Sequence, residues 1–237
     1  MTDSPTTSPT DPTDPTDPTD AAGLLGTVLT GATGLLRGLD EPEWDQPTGC
    51  AGWSVLDLVQ HQVFDLRRGL VALATPAAGP TTTDAVDYWR QWDQSPTEAD
   101  ADRWRTRVVA SVAGGPGALV AVHVELAAAV LESASRVDPG SRVATQGHVL
   151  RVADLLDTLA VEATVHHLDL VAHLDRPAPD AAALRRVREV LTALLGRPLP
   201  SRWDDTTAVR RGTGREALEP ADRDELGALV DALPLLA

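Results

Sequence analysis

The chain of 237 residues can hold one domain with extensions or two small ones, and it is long enough to bury a sizeable core. Its formal net charge is −15 and all 20 basic residues are arginine, so an acidic chain without a basic stripe is unsuited to nucleic-acid binding. No run approaches the roughly 18 apolar residues of a membrane span, and the N-terminus lacks the features of a secretory signal. A single cysteine, Cys50, excludes an internal disulfide, which predicts a cytoplasmic protein.

Residues 1–20 form a low-complexity tract that is rich in proline, threonine and aspartate. Regularly spaced prolines block backbone hydrogen bonding, and the tract supplies no residues for a core. We therefore predict a disordered tail whose role is solvation or tethering.

Residues 21–175 carry the spacing of amphipathic helices, which are joined by short connections. The clearest start is Ser54, which can cap a helix and form a capping box with Asp57. The predicted helices are 21–39, 54–74, 84–112 with an interruption at Ser95-Pro96, 118–136, and 148–174 as the longest. This pattern predicts a mainly α fold, an antiparallel four-helix bundle.

The pattern changes after residue 175. A helix is predicted near 180–195, extended and turn structure over 203–220, and a last helix over 221–233. We expect residues 176–237 to form a short, mixed C-terminal appendage that packs on the bundle. Three tryptophans are predicted to be core residues, namely Trp89, Trp92 and Trp104.

The stretch VEATVHHLDL, residues 161–170, places a carboxylate and an imidazole on the core-facing side of the last bundle helix. At 100° per residue, Glu162 and His166 fall among inward-facing leucines. A buried carboxylate is costly unless something pairs with it. Side chains at i and i+4 can reach one cation, and zinc accepts both nitrogen and oxygen ligands. A metal site is one interpretation; a hydrogen bond between the two side chains, or pairing with an arginine, is the other.

The neighbouring polar residues of this helix have simpler interpretations. Asp169 can orient a ligand imidazole, or it can pair with an arginine. His167 points roughly 100° away from His166 and is predicted to be exposed or at the core edge, and His173 lies about 10 Å along the axis, too far to share an ion. We interpret the remaining two histidines, His123 and His148, as structural.

A second block, WDQPTGCAGWSVLDLVQHQ, occupies residues 44–62. Together the two blocks resemble the mycothiol-dependent maleylpyruvate isomerase family, which belongs to the DinB-like group of metal-binding four-helix bundles. The resemblance covers residues 21–175 and implies a DinB-like fold. The matching residues are Trp44, Pro47, Thr48, Gly52, Trp53, Asp57, Leu58, His61, Glu162, His166, Asp169 and Leu170.

The resemblance implies a divalent metal, usually zinc, held by His61, Glu162 and His166. Two imidazoles and one carboxylate leave a coordination position open, as in catalytic zinc sites. The resemblance further implies the thiol cofactor mycothiol, which binds the metal as a thiolate and attacks a small electrophile. Expulsion of the thiolate after bond rotation gives cis–trans isomerisation, and retention of the adduct gives S-transfer.

The helix that carries His61 raises a question, because its apolar stripe runs along another side. By register alone, His61 is exposed beside Asp57, Asp65 and Arg68. Either the site lies near an open mouth of the bundle, or this helix has a second buried face.

Two further features have open interpretations. Cys50 precedes the helix and, without an obvious base, is interpreted as a small packing residue. Three arginines near the C-terminus are candidate ligands for an anionic substrate or the thiol cofactor, with solvated surface as the alternative: Arg210, Arg211 and Arg215.

The function expected from these observations is that of a metal-dependent, mycothiol-dependent S-transferase or isomerase. The family isomerase is expected to have a larger C-terminal domain than this chain, which argues for the general class over maleylpyruvate itself. The alternatives are a non-catalytic metal-binding bundle that serves as a sensor or scaffold, and a DinB-like metal hydrolase. An enzyme requires an open coordination position that faces a cleft.

Overall fold

The computed structural model describes residues 18–90 and 95–236. The tail predicted over 1–20 therefore lies outside the described residues, except for its last three positions, which begin the first helix. Trp92 also lies outside the described residues.

Helices dominate the described chain, which confirms the predicted mainly α class. The two strands form a single antiparallel hairpin. In chain order the elements are α1 (Pro18–Arg37), a 3-10 helix (Glu41–Asp45), α2 (Val55–Leu73), α3 (Asp87–Arg90), α4 (Pro96–Ser111), α5 (Pro116–Ser135), β1 (Arg142–Thr145), β2 (His148–Arg151), α6 (Val152–Val171), α7 (Ala181–Leu195), α8 (Asp205–Gly212), α9 (Pro220–Leu226) and a second 3-10 helix (Gly227–Ala232).

Four of these helices form the bundle. Helix α1 packs against α5 and α6, and α2 packs against the same two helices. The start of α2 follows from local sequence, because Ser54 Oγ accepts a hydrogen bond from Asp57 N and the Asp57 carboxylate accepts one from Ser54 N. Ser95 caps α4 in the same manner, at the interruption that the sequence predicts.

The hairpin corrects the prediction that a helix begins at His148. Residues His148–Arg151 pair with Arg142–Thr145 instead, and α6 starts at Val152. The connecting residues Gln146 and Gly147 both have positive φ, the geometry of a two-residue turn that suits hairpins. With 20 residues, α6 is no longer than α1 or α5, so the prediction of a single longest helix is wrong.

The C-terminal residues pack on α6 through an apolar cluster that joins Val161, Val165 and Leu168 to side chains of α7 and α8. Residues 203–220 contain α8, which corrects the prediction of extended and turn structure. Its start is set by Asp204, whose carboxylate accepts from Thr207 N. The last predicted helix is divided between α9 and a 3-10 helix.

The tryptophans of the third predicted helix are not uniformly buried. Trp104 is 68% exposed, so its prediction as a core residue is wrong, and Trp89 is half-buried. Among the described elements α4 makes its main contact with α2, and only one side of α4 is covered as a result.

Helix α5 is the one described helix that is long and apolar enough to cross a membrane by length and composition, with a mean hydropathy of 1.5 over 18 residues. It corrects the expectation that no segment approaches a span. Length and composition alone are weak evidence for a membrane span, because helices in the core of soluble proteins share them. Helix α5 packs against α1 and α2.

Candidate metal centre

Helices α2 and α6 bring four metal-ligating side chains together inside the bundle. His61 and Asp65 come from α2, and Glu162 and His166 come from α6. One ligand atom from each residue lies within 4.8 Å of all the others. His61 Nε2 is 4.0 Å from Glu162 Oε1, and the rings of His61 and His166 stand nearly perpendicular with centroids 4.9 Å apart. The three residues that the family resemblance implies as ligands therefore lie side by side, and Asp65 joins them.

The position of His61 follows from the surroundings of α2. This helix packs against α4, α5 and α6, so polar residues off the apolar stripe, among them Gln60 and Gln62, are also buried. The His61 side chain is only 27% exposed, and the edge of the Trp53 ring lies against it. The helix therefore has the second buried face that the sequence left open, and His61 lies at its edge beside an open cavity.

Burial and the neighbouring ionisable groups shift the pKa values of the residues in the cluster. Burial raises the pKa of the Glu162 carboxyl, and the neighbouring Asp65 raises it further. Burial also raises the pKa of Asp65. For His61, burial and the adjacent His166 lower the pKa to about 4, which keeps its imidazole neutral and able to act as a ligand. Two carboxylates held together in this way are stabilised by a cation.

The donor atoms fit a divalent cation. Neither oxygen of Asp65 makes a hydrogen bond of ordinary geometry within the described part of the chain, although Oδ2 lies 3.3 Å from His61 Nε2. Imidazole nitrogens and carboxylate oxygens that converge without hydrogen bonds are the arrangement that zinc and similar ions require. The sequence prediction missed Asp65. Its signal was the spacing of four residues from His61, which matches that of Glu162 and His166.

A hydrogen-bond network around Asp169 fixes the His166 ring on the side away from the cluster. His166 Nδ1 lies 3.2 Å from Asp169 Oδ2, which leaves Nε2 for a cation. Arg215 donates to both Asp169 oxygens, at 2.9 and 3.1 Å, and Cys50 Sγ donates to Oδ2 at 3.1 Å. Asp169, predicted either to orient an imidazole or to pair with an arginine, makes both contacts.

The pKa values of this pair reflect the same contacts. Burial opposes charge on both groups, but the contacts of His166 with Asp169 and Cys50 together outweigh it and raise the pKa of His166. The hydrogen bonds from His166 and Arg215 hold the pKa of Asp169 below its usual range. Asp169 is thus an anion that fixes the imidazole ring, as outer partners of metal ligands commonly do.

The loop before α2 also contacts Asp169, through a backbone hydrogen bond and through the Cys50 side chain. Gly49 N donates to the Asp169 carbonyl oxygen at 2.9 Å, and a Cβ at Gly49 would lie 2.4 Å from Asp169 Oδ1. Only glycine allows this close approach. Cys50 is half-buried, and its sulfur contacts Asp169, so it does more than fill space.

The three predicted arginines have different surroundings. Arg215 contacts Asp169 and lines the cavity beside the cluster. Arg211 is paired with Glu216, Glu219 and Asp222, and these carboxylates occupy its guanidinium. Arg210 is half-buried and faces a separate surface pocket.

An open cavity of about 240 Å³ reaches the cluster from outside. His61, Glu162 and His166 form part of its wall. The opposite walls carry both aromatic and charged side chains, including Trp53, Trp89, Arg68, Arg103 and Arg215. A ligand in this cavity would meet the donor atoms directly.

The other histidines lie outside the cluster. His167 is buried and its Nε2 donates to the Pro177 carbonyl at 3.1 Å, so the prediction of an exposed or core-edge residue is wrong. The segment after α6 folds back over His167, which the register of a single helix cannot reveal. His173 is exposed and His148 lies in β2.

His123, on α5, lines a small chamber of about 20 Å³ behind the cluster, together with Gln62, Asp65, Glu162 and His166. It is 1% exposed, and its Nδ1 has no hydrogen-bond partner among the described residues. Burial lowers the pKa of His123 to about 4. This histidine is therefore held neutral in the folded chain.

A testable consequence is acid sensitivity of the fold. Between pH 6.5 and about 4 the unfolded chain protonates this histidine and the folded chain does not. Stability from this group is thus present above pH 6.5 and is lost as pH falls, by about 3 kcal/mol in total. We expect the metal-free His123→Leu variant to gain about this much over wild type across that range in urea unfolding. The control is exposed His173→Leu. An equal pH dependence of wild type and His123→Leu would contradict the assignment.

Comparisons with known proteins identify the family and the fold of this chain. Residues 25–171, more than half of the chain, match the family described as Mycothiol maleylpyruvate isomerase N-terminal domain. Two similar solved structures are crystal structures of the mycothiol-dependent maleylpyruvate isomerase, one of them a histidine-to-alanine mutant. The mutant is 15% identical with a TM-score of 0.57, and the other is 14% identical with a TM-score of 0.55. No curated protein matches the chain.

At this level of identity the two crystal structures show the shared fold. Each comparison covers 84% of this chain and 90% of the isomerase chain. The expectation that the isomerase has a much larger C-terminal domain is therefore wrong, because the two chains correspond over nearly their whole lengths. From the family match over residues 25–171, the chain belongs to the mycothiol maleylpyruvate isomerase N-terminal domain family.

Proposed function

We propose that this protein is a cytoplasmic, metal-dependent enzyme that uses mycothiol to isomerise a small electrophile of the maleylpyruvate type, or to transfer the thiol to it. One observation carries the proposal: an open cavity of about 240 Å³ ends on a cluster of imidazole and carboxylate donors. A sensor or scaffold needs a metal site but has no need of such an entrance, which favours the enzyme.

His61, Glu162 and His166 are the residues proposed to hold the cation, and zinc suits these donors. A divalent cation there would lower the pKa of a bound thiol, so that thiolate is available near neutral pH. The chain itself keeps His61 neutral through burial and fixes His166 through Asp169. His61 is thereby in the protonation state that binds a cation, and the His166 ring is oriented before any substrate arrives.

The remaining cavity residues can bind and position the two small molecules. Arg103 presents a guanidinium group, which suits the carboxylates of an anionic electrophile or polar groups of a thiol sugar. Of the three arginines predicted for this role, Arg215 alone lines the cavity, and its guanidinium already donates to Asp169 and to the Thr213 carbonyl, so we retain it as part of the cavity wall. Arg211 is held by carboxylates and Arg210 faces another pocket. Trp53 and Trp89 cover the cavity walls with apolar surface that excludes water from the reacting atoms.

The proposal is tested by following maleylpyruvate isomerisation by zinc-loaded protein with and without mycothiol. We expect turnover that requires the free thiol, is not supported by S-methylated mycothiol, and is lost in Glu162→Gln. The matched control is Glu125→Gln, an exposed glutamate on α5, which should behave as wild type. Metal-loaded protein without thiol-dependent turnover of maleylpyruvate or of a general electrophile would contradict the proposal and favour the scaffold. Turnover that proceeds equally well without thiol would contradict the role of mycothiol, and release of a hydrolysis product would favour the hydrolase.

A further inference from the structure

Asp65 lies one helical turn after His61 and faces the same cluster. Its side chain is 8% exposed. Oδ2 is 3.3 Å from His61 Nε2, the nitrogen that also faces Glu162, and Oδ1 is 3.1 Å from Arg68 Nη2. Neither oxygen makes a hydrogen bond of ordinary geometry with the described residues. An acceptor-only carboxylate buried in this way requires a partner.

The charges of the cluster indicate what that partner is. Asp65 and Glu162 bring two negative charges into a buried site, and Arg68 offers one positive charge to Asp65. A divalent cation shared by both carboxylates removes the remaining repulsion and satisfies the free lone pairs. Asp65 is close enough to take part, since its ligand atom lies within 4.8 Å of those of the other three residues.

We propose that Asp65 is a fourth protein ligand of the cation in the thiol-free enzyme, and that the incoming thiol takes its place. This inference rests on the proposed function. A thiolate replaces a carboxylate with no change of charge at the cation, and the thiol proton is released to water. The displaced carboxylate keeps a partner, because Arg68 already stands beside Oδ1. Among the described residues, no arginine lies within ion-pair distance of His61, Glu162 or His166, and these three remain bound.

The experiment compares wild type with Asp65→Asn for Co²⁺ affinity and for mycothiol affinity of the cobalt-loaded protein. We expect the metal affinity of Asp65→Asn to fall by about 10-fold or more, as for lost carboxylate support at metal sites. Its thiol affinity should rise several-fold, because no protein ligand then competes for the position. A purely structural defect would lower both affinities. Asp57→Asn, a buried aspartate two turns earlier on α2, is the matched control and should leave both unchanged.

The outcomes separate this inference from the proposed function. Asp65→Asn with wild-type metal affinity, or with thiol affinity that is unchanged or lowered, would overturn the role of Asp65 alone. Wild type that takes up no cobalt, or loaded wild type that binds no thiol, would overturn the proposed function and this role with it. Asp65→Ala provides a second variant should the amide itself bind the metal.

Discussion

Replacement of Asp169 by alanine is expected to lower the free energy of unfolding by about 3–5 kcal/mol, because it removes a buried carboxylate and leaves the half-buried Arg215 without its anion. The Asp169 side chain is 1% exposed, and Arg215 donates two hydrogen bonds to it. His166 and Cys50 lose their acceptor at the same time. Urea unfolding of metal-free protein at pH 7 measures the change.

The same substitution should weaken metal binding by about 10–100-fold, since His166 loses the partner that fixes its ring. Asp157→Ala is the matched control. Asp157 also lies on α6 and pairs with an arginine of the C-terminal region, Arg186, but it lies five residues before Glu162 and is not part of the cluster. It should lower stability and leave metal affinity intact. A loss of less than 1 kcal/mol in Asp169→Ala, with unchanged metal affinity, would refute the structural role given to this carboxylate.

Removal of a direct ligand should have the largest effect on the metal. We expect Glu162→Gln and His61→Ala each to reduce zinc affinity by more than about 100-fold, above the loss caused by outer partners. His173→Ala, an exposed histidine just beyond α6, serves as the control. Isothermal titration with a competing chelator gives the affinities.

The Glu162→Gln substitution should raise the free energy of unfolding of the metal-free protein, although it lowers metal affinity. Burial and the neighbouring Asp65 raise its pKa, so the ionised carboxylate destabilises the metal-free fold at pH 7. Glu162→Gln is therefore expected to stabilise the metal-free chain while it abolishes metal binding. Such opposed effects are typical of residues retained for function. Zinc that stays tightly bound in Glu162→Gln would show that the ligands are wrongly assigned.

Much of the fold is readable in the sequence because it depends on local patterns. The box formed by Ser54 and Asp57 sets the start of α2, and Ser95 with Pro96 sets the start of α4. The hairpin before α6 was missed because its strands are short and its turn uses Gln146 in place of the more usual asparagine. The short α8 was missed because the glycines around it favour turns.

The site depends on contacts that no single helix encodes. Glu162 and His166 are predictable, since one helix carries both on its inner face. His61 required knowledge of the helices that cover α2 on a second side. Asp65 required the same knowledge, and the partners of Asp169 come from two loops far away in sequence, at Cys50 and Arg215.

The most direct test of the account is the absorption spectrum of cobalt-substituted wild-type protein during titration with mycothiol. The account predicts one Co²⁺ per chain and a new sulfur-to-cobalt charge-transfer band in the near ultraviolet, which saturates at one thiol per metal. Cobalt that binds the chain but shows the same spectrum at saturating thiol would contradict it, because the donors of α2 and α6 would then leave no position for sulfur.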